Sequence, residues 1–133
     1  MARAFSLTID LFENLEEMDL AKDLPELPSN SLSGQVWCIV GARESYFLAI
    51  QKGSWSGFSC SLNNPGLKPL VLDCLMASAD KILGLDFEKM NDPQVELAFD
   101  LLEHEIQHHG QLIRYIYGNR LNFPENWKTR YHI

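Results

Sequence analysis

Residues 91–119, which read NDPQVELAFDLLEHEIQHHGQLIRYIYGN, decide the fold that we predict for this chain. The stretch opens with an acidic cap followed by a proline suited to a first helical turn, and Gly118 and Asn119 end it. Apolar residues recur at helical spacing between these signals. The pattern predicts one helix that runs to Tyr117, roughly 38 Å long at about 1.5 Å per residue.

This helix has two faces when its residues are placed at 100° steps. The polar face, which we expect to meet solvent, consists of Glu96, Asp100, Glu103, Gln107, Gln111 and Arg114. The apolar face, which we expect to form core, consists of Val95, Ala98, Phe99, Leu102, Ile106, Ile113 and Ile116. His104 and His108 lie on the flank of the apolar face. His109 points nearer its centre, and we expect a core or interface histidine bonded to a backbone carbonyl rather than a ligand.

Prolines and glycines divide the rest of the chain into three more predicted helices and a tail. Helical spacing of apolar residues extends over the first stretch, Ser29 or Ser31 can cap the second, and a Lys-Pro step opens the third. The expected helices cover residues 4–21, 29–51 and 68–84, with a looser piece to 90, a turn-rich connection over 54–66 and a tail over 121–133 that packs back along the helices.

No alternating strand pattern is present, so the sequence predicts an all-α fold. We expect a single domain over residues 1–133. Its predicted architecture is a four-helix bundle with a long connection between the second and third helices and a packed C-terminal tail.

Composition excludes several classes of partner. The 133 residues carry a net charge of −7, which disfavours both nucleic-acid phosphates and an anionic membrane surface. No apolar run approaches the roughly 18 residues of a membrane span, and no signal-peptide core is present. The three cysteines form no disulfide framework. We therefore expect a cytoplasmic protein without a nucleic-acid or membrane partner.

Two histidines four residues apart on a helix lie one above the other, so His104 and His108 can bind one metal ion. An exposed pair without a metal is the alternative interpretation of the same spacing. Residues 104–108, HEIQH, also match the zinc-protease motif, in which Glu105 would be the general base. No strand precedes the motif and only Glu125 follows as a further ligand, so a protease is the least favoured function.

Residues 104–112, HEIQHHGQL, resemble the HxxxH-x-GQ signature of the DinB-like superfamily. The second helix, VWCIVGARESY over 36–46, and the ending NFPENW over 122–127 are similar to the corresponding parts of that family. The resemblance implies a four-helix bundle, often a homodimer, that binds a divalent metal such as Zn, Ni or Fe. It also implies an enzyme that activates a low-molecular-weight thiol or water against a small-molecule substrate, as a transferase or hydrolase.

The family takes a third metal ligand from a histidine of the second helix, and Cys38 stands at that position here. Cys38 either ligates as thiolate, or leaves a weak site, or marks a site that has lost its metal. Small residues share its helix face and leave room for a cavity: Gly34, Ala42, Ser45 and Ala49. We expect Glu105 or Tyr115 to assist proton transfer.

The remaining polar and thiol groups have structural interpretations. Cys60 and Cys74 are expected to act as small hydrophobic residues, and Arg43 and Glu44 to form surface or interhelical pairs. If the metal site is degenerate, the chain is instead a non-catalytic bundle that works by dimerisation or association.

Overall fold

The computed structural model describes all residues from Met1 to Ile133. It contains five α-helices, two short 3-10 helices and no strand, so the predicted all-α class is confirmed. The α-helices are α1 (Ala2–Asn14), α2 (Leu32–Lys52), α3 (Lys68–Leu83), α4 (Asp92–Gly118) and α5 (Glu125–Tyr131). None of them combines the length and the apolar character that crossing a bilayer requires.

The four long helices pack in a closed ring, in which α2 contacts α3 and α4, and α1 contacts the same two helices. The α2–α4 pair is the most extensive of these contacts. Buried apolar side chains from all four helices form the core, and the fifth helix closes it with the fully buried Trp127. The predicted packing of the tail along the helices is therefore confirmed, and part of this tail is itself helical.

Side-chain caps explain where α2 and α4 begin. The side chain of Asn91 accepts a hydrogen bond from the backbone N–H of Gln94, and the Gln94 side chain accepts one from the backbone of Asn91. This capping box fixes the first turn of α4 as the sequence predicts. Ser31, one of the two expected caps of α2, accepts a hydrogen bond from the backbone N–H of Gly34.

The first helix is shorter than predicted, because α1 ends at Asn14 and Leu15 takes an extended backbone. A separate 3-10 helix, Glu17–Ala21, follows it. Asp19 starts this helix by accepting a hydrogen bond from the backbone N–H of Glu16 at 2.9 Å. A polar side chain that satisfies the backbone locally competes with continuation of the helix, and the expected extent over 4–21 was wrong for that reason.

The buried face of α4 is rotated from the face that we predicted. Val95, Phe99 and Ile106 were expected in the core but are 36%, 62% and 41% exposed. Ala98 and Ile116 of the expected face are buried as predicted. The other buried positions lie toward the histidine flank, and they include Leu101, Glu105, His108, His109 and Leu112. Glu105 enters the core because it pairs with a buried arginine of α2, and hydrophobic periodicity assigns no such position to a charged residue.

The connection between α2 and α3 folds back along the outside of α2. The hydroxyl of Ser45 accepts a hydrogen bond from the backbone N–H of Ser59 at 2.9 Å. The ring of Phe58 lies directly over Gly41, where an added Cβ atom would stand 2.2 Å from the ring. The same ring packs against Trp37 with centroids 5.0 Å apart. The long connection is therefore attached to the helix that carries Cys38.

Candidate metal centre

Three ligand atoms converge between α2 and α4. Cys38, His104 and His108 each offer one ligand atom, and these atoms all lie within 4.8 Å of one another. The Cys38 sulfur is 3.7 Å from Nε2 of His104, and the two imidazole centroids are 4.6 Å apart. The best-packed helix pair of the protein thus positions three side chains that could hold a metal ion.

The donor set fits a divalent ion that accepts nitrogen and sulfur. Zinc bonds of about 2.3 Å to sulfur and about 2.0–2.1 Å to nitrogen, at a tetrahedral angle, separate the two donors by roughly 3.6 Å. The distance of 3.7 Å between Cys38 Sγ and His104 Nε2 agrees with this value. The other two donor pairs lie no more than 4.8 Å apart. A Cys-His-His set leaves a fourth position open, as catalytic zinc sites do.

One ring nitrogen of His108 has a hydrogen-bond partner on α2. Its Nδ1 lies 2.7 Å from Oε1 of Gln35, on α2. Because an amide oxygen only accepts, Nδ1 carries the proton in this pair. The lone pair of His108 is then on Nε2, and a ligand histidine in proteins usually has its second nitrogen tied in this way.

His104 carries the one buried side-chain nitrogen or oxygen of the protein that has no hydrogen-bond partner, its Nδ1. Buried polar atoms are satisfied in the great majority of cases, and exceptions occur at functional positions or at places that hold an ion. The candidate ligand atom of His104 is Nε2, which lies 3.7 Å from the Cys38 sulfur, so Nδ1 is the second nitrogen of the ring and an ion bound by Nε2 would not satisfy it. His104 therefore lacks the outer hydrogen bond that His108 has, and its unsatisfied nitrogen is not evidence for an ion.

The protonation states in the absence of an ion follow from burial. Burial lowers the pKa of His104, and burial together with the neighbouring charge of His104 lowers the pKa of His108 to about 4. Both rings are therefore neutral at pH 7, which is the form that binds a metal. Burial raises the pKa of the Cys38 thiol, so an ion has to displace its proton on binding.

Glu105 lies in the core and not against the three ligand atoms. Arg43 donates from Nε to Oε2 of Glu105 at 3.1 Å and from Nη2 to Oε1 at 2.6 Å, and Thr8 donates to Oε1 as well. Burial raises the pKa of Glu105, but the Arg43 guanidinium, with the Thr8 hydroxyl and His109, holds the pKa below its usual range. These contacts place Glu105 in a buried ion pair, and the proton-transfer role expected from sequence stays a prediction.

His109 is a core histidine, as predicted, but its partners differ from the expected backbone carbonyl. The ring is fully buried. Its Nε2 lies 2.8 Å from the hydroxyl oxygen of Thr8, and its Nδ1 lies 2.5 Å from the hydroxyl oxygen of Tyr131. His109 thus joins α1, α4 and α5, and it takes no part in the ligand group.

Tyr115, the second expected proton-transfer residue, is buried and does not contact a ligand atom. Its hydroxyl oxygen lies 2.7 Å from the backbone oxygen and 2.6 Å from the side-chain oxygen of Asn30, and these two oxygens share its single proton as acceptors. Gln35 also donates to that side-chain oxygen, at 2.7 Å. Tyr115 therefore reaches His108 only through two intervening amides. Asn30 and Gln35 were not predicted as neighbours of the ligands. A glutamine three residues before Cys38, in an otherwise apolar helix, was a visible signal for Gln35.

The structure agrees with some of the remaining predicted roles and differs from others. Arg43 forms the interhelical pair expected of it, whereas Glu44 accepts hydrogen bonds from Ser61 in the connection and forms no ion pair. Cys60 and Cys74 are half-buried free thiols, and both pack against the main hydrophobic cluster. The small-hydrophobe interpretation of these two cysteines agrees with that packing.

Comparison of the chain with protein-family models, with curated proteins and with solved structures finds no match in any of the three. The resemblance to DinB-like proteins thus depends on the sequence motifs alone.

Proposed function

We propose that this protein is a metal-dependent enzyme with a DinB-type four-helix bundle, and that Cys38, His104 and His108 hold its divalent ion. The observation that carries the proposal is the convergence of a thiol and two imidazoles from positions 66 residues apart in sequence. Chance placement of a histidine pair on one helix does not bring a third donor from another helix. The neutral form of both rings at pH 7 supports the same assignment.

When bound, a divalent ion would supply Lewis-acid activation of a thiol or water for attack on a small electrophile. The residues of the chain determine the charge and the donor atoms that the site offers to that ion. Cys38 replaces the neutral histidine of the resembled family by a thiolate, which adds one negative charge to the ligand set. That charge and the softer sulfur donor favour zinc over harder ions such as magnesium or manganese.

Metal analysis and a cobalt spectrum test this assignment. Protein purified without a histidine tag is expected to bind about one equivalent of Zn²⁺ after reconstitution. The Co²⁺ form is expected to show a thiolate-to-cobalt charge-transfer band, because Co²⁺ accepts the same donor geometry as Zn²⁺. Cys38→Ala is expected to remove the band, and Cys60→Ala, which removes another half-buried thiol, is expected to keep it.

Two results would overturn the assignment. Less than a tenth of an equivalent of metal after reconstitution would show that the three side chains do not bind an ion. A band that persists in Cys38→Ala would show that a different thiol binds the cobalt.

A second candidate function is association without catalysis, and the exposed apolar face of α4 favours it. Val95, Phe99 and Ile106 lie on this face, and an apolar cavity of about 300 Å³ adjoins it. A surface groove of about 740 Å³ lies between α1 and α5 and shares no residue with the candidate metal centre. We propose a second copy of the chain as the partner of the apolar face, with the metal as a structural element or absent.

Sedimentation distinguishes the two candidates. A metal-free dimer that Phe99→Glu converts to a monomer would support association, since a buried unpaired carboxylate is costly in an apolar interface. Glu103→Gln, which changes charge on the polar face of the same helix, is the control. A strict monomer at high concentration would end the second candidate.

A further inference from the structure

A chain of polar side chains runs from the start of α2 to the candidate ligand His108. The hydroxyl of Tyr115 donates to Oδ1 of Asn30 at 2.6 Å, Nε2 of Gln35 donates to the same oxygen at 2.7 Å, and Oε1 of Gln35 lies 2.7 Å from Nδ1 of His108. Gln35, His108 and Tyr115 are all buried. No fully buried side-chain nitrogen or oxygen of these residues lacks a hydrogen-bond partner.

The direction of these hydrogen bonds follows from the amide of Gln35. Its Nε2 donates to Oδ1 of Asn30, so its Oε1 faces Nδ1 of His108. The single proton of the Tyr115 hydroxyl has two acceptors on Asn30, the side-chain and the backbone oxygen, and does not by itself fix this order. The ring of His108 therefore presents its Nδ1 proton to Gln35. Only a concerted turn of both amides would reverse the order and move the imidazole proton to Nε2.

We propose that Gln35, held in place by Asn30 and Tyr115, is a positioning residue that fixes the tautomer and the ring orientation of His108 for metal binding. This inference rests on the proposed metal site and adds the residues that prepare it. Without such a partner, a ligand imidazole samples both neutral tautomers and several ring angles. Metal binding then has to restrict it to one tautomer and one angle. Loss of an outer partner of this kind typically weakens metal binding about 10–100-fold.

The first experiment uses the metal-free protein, so its result does not depend on the proposed function. Nitrogen-15 NMR of the imidazole rings at pH 7.5 is expected to show His108 in the form with the proton on Nδ1. In Gln35→Leu, this ring is expected to become a mixture of the two neutral tautomers. A wild-type His108 with its proton on Nε2 would overturn the proposal, whether or not the protein binds metal.

The second experiment measures affinity for Co²⁺ by competition with a chelator. Gln35→Leu is expected to weaken binding about 10–100-fold. Gln35→Glu keeps an acceptor for the Nδ1 proton and is expected to retain the tautomer and to bind at least as tightly as wild type. Gln51→Leu, at an exposed position of the same helix, is the control.

Tyr115→Phe tests the far end of the chain. It removes one donor to Asn30 and is expected to weaken Co²⁺ binding by less than Gln35→Leu does. Tyr117→Phe, an exposed tyrosine of the same helix, is expected to leave binding unchanged. If Gln35→Leu folds and binds Co²⁺ as wild type does, the positioning role is wrong while the metal site stands. If wild type binds no Co²⁺, the proposed function fails and the NMR result alone decides the tautomer.

Discussion

At the scale of single residues, the buried pair of Arg43 and Glu105 is the main electrostatic contact between α2 and α4. Both side chains are inaccessible to solvent, and two hydrogen bonds join them. Removing one partner of such a pair leaves an uncompensated buried charge. We expect Arg43→Met to lower the free energy of unfolding by about 3–5 kcal/mol, measured by urea denaturation.

The double variant Arg43→Met with Glu105→Leu separates burial of charge from loss of attraction. It is expected to recover much of the stability, because apolar groups of similar volume need no partner. Lys128→Met removes an exposed partner of Glu125 and serves as the control, with an expected change of about 0–1 kcal/mol. An Arg43→Met protein as stable as this control would contradict the assigned role.

His109 makes the stability of the metal-free protein depend on pH. Burial lowers its pKa to about 4, with Arg43 and Arg130 adding to the effect and Glu105 opposing it. The unfolded chain therefore binds more protons than the folded chain between about pH 4 and pH 6.5. Stability is full above that window and falls as the pH drops through it, by on the order of 3 kcal/mol. Urea titrations at pH 7, 5.5 and 4.5 measure the slope. His109→Gln is expected to remove only the share of His109, because His108, whose pKa is also about 4, contributes a similar pH dependence over the same window.

At the scale of elements, the attachment of the long connection to α2 depends on Gly41. A Cβ atom at this position would stand 2.2 Å from the ring of Phe58. We expect Gly41→Ala to displace that ring and to raise amide exchange over residues 54–66, even though alanine favours the helix by up to about 1 kcal/mol. Hydrogen exchange measured peptide by peptide tests this expectation.

Gly110→Ala is the matched control for Gly41→Ala. It also lies inside a helix, but an added Cβ there meets nothing within 4 Å. It is expected to raise the unfolding free energy by up to about 1 kcal/mol and to leave the connection unchanged. Unchanged exchange over 54–66 in Gly41→Ala would show that Phe58 does not hold the connection.

Helix ends were predictable where a local cap determines them, and helix faces were not. The capping box of Asn91 and the cap at Ser31 depend on only a few neighbouring residues, so the sequence predicts where α4 and α2 begin. The rotation of α4 depends on Arg43 meeting Glu105, a contact between positions 62 residues apart. Hydrophobic periodicity carries no information about such a pair, and it therefore placed Phe99 in the core.

The ligands of the candidate site were predictable from the sequence, whereas the residues that orient them were not. The spacing of His104 and His108 together with the resemblance indicated Cys38 as the third donor, and the structure brings the three together. The amides of Asn30 and Gln35 were not predictable, because their relation to His108 arises only when the two helices pack. Ligands leave a sequence pattern on one helix, whereas the residues that orient them depend on tertiary contacts.

At the scale of the whole molecule, a metal bound between α2 and α4 is expected to stabilise the entire chain. The complete ligand set exists only when position 38 meets position 104 across the core, so the folded state binds the ion far more tightly than the unfolded chain does. Free Zn²⁺ at 100 times its dissociation constant is expected to add about 2.7 kcal/mol to the unfolding free energy. The gain should disappear in His104→Ala, whose own stability changes little because that ring has an unsatisfied nitrogen. His132→Gln, which removes an exposed histidine outside the site, should keep the full gain. An equal gain in wild type and in His104→Ala would mean that zinc acts elsewhere on the protein.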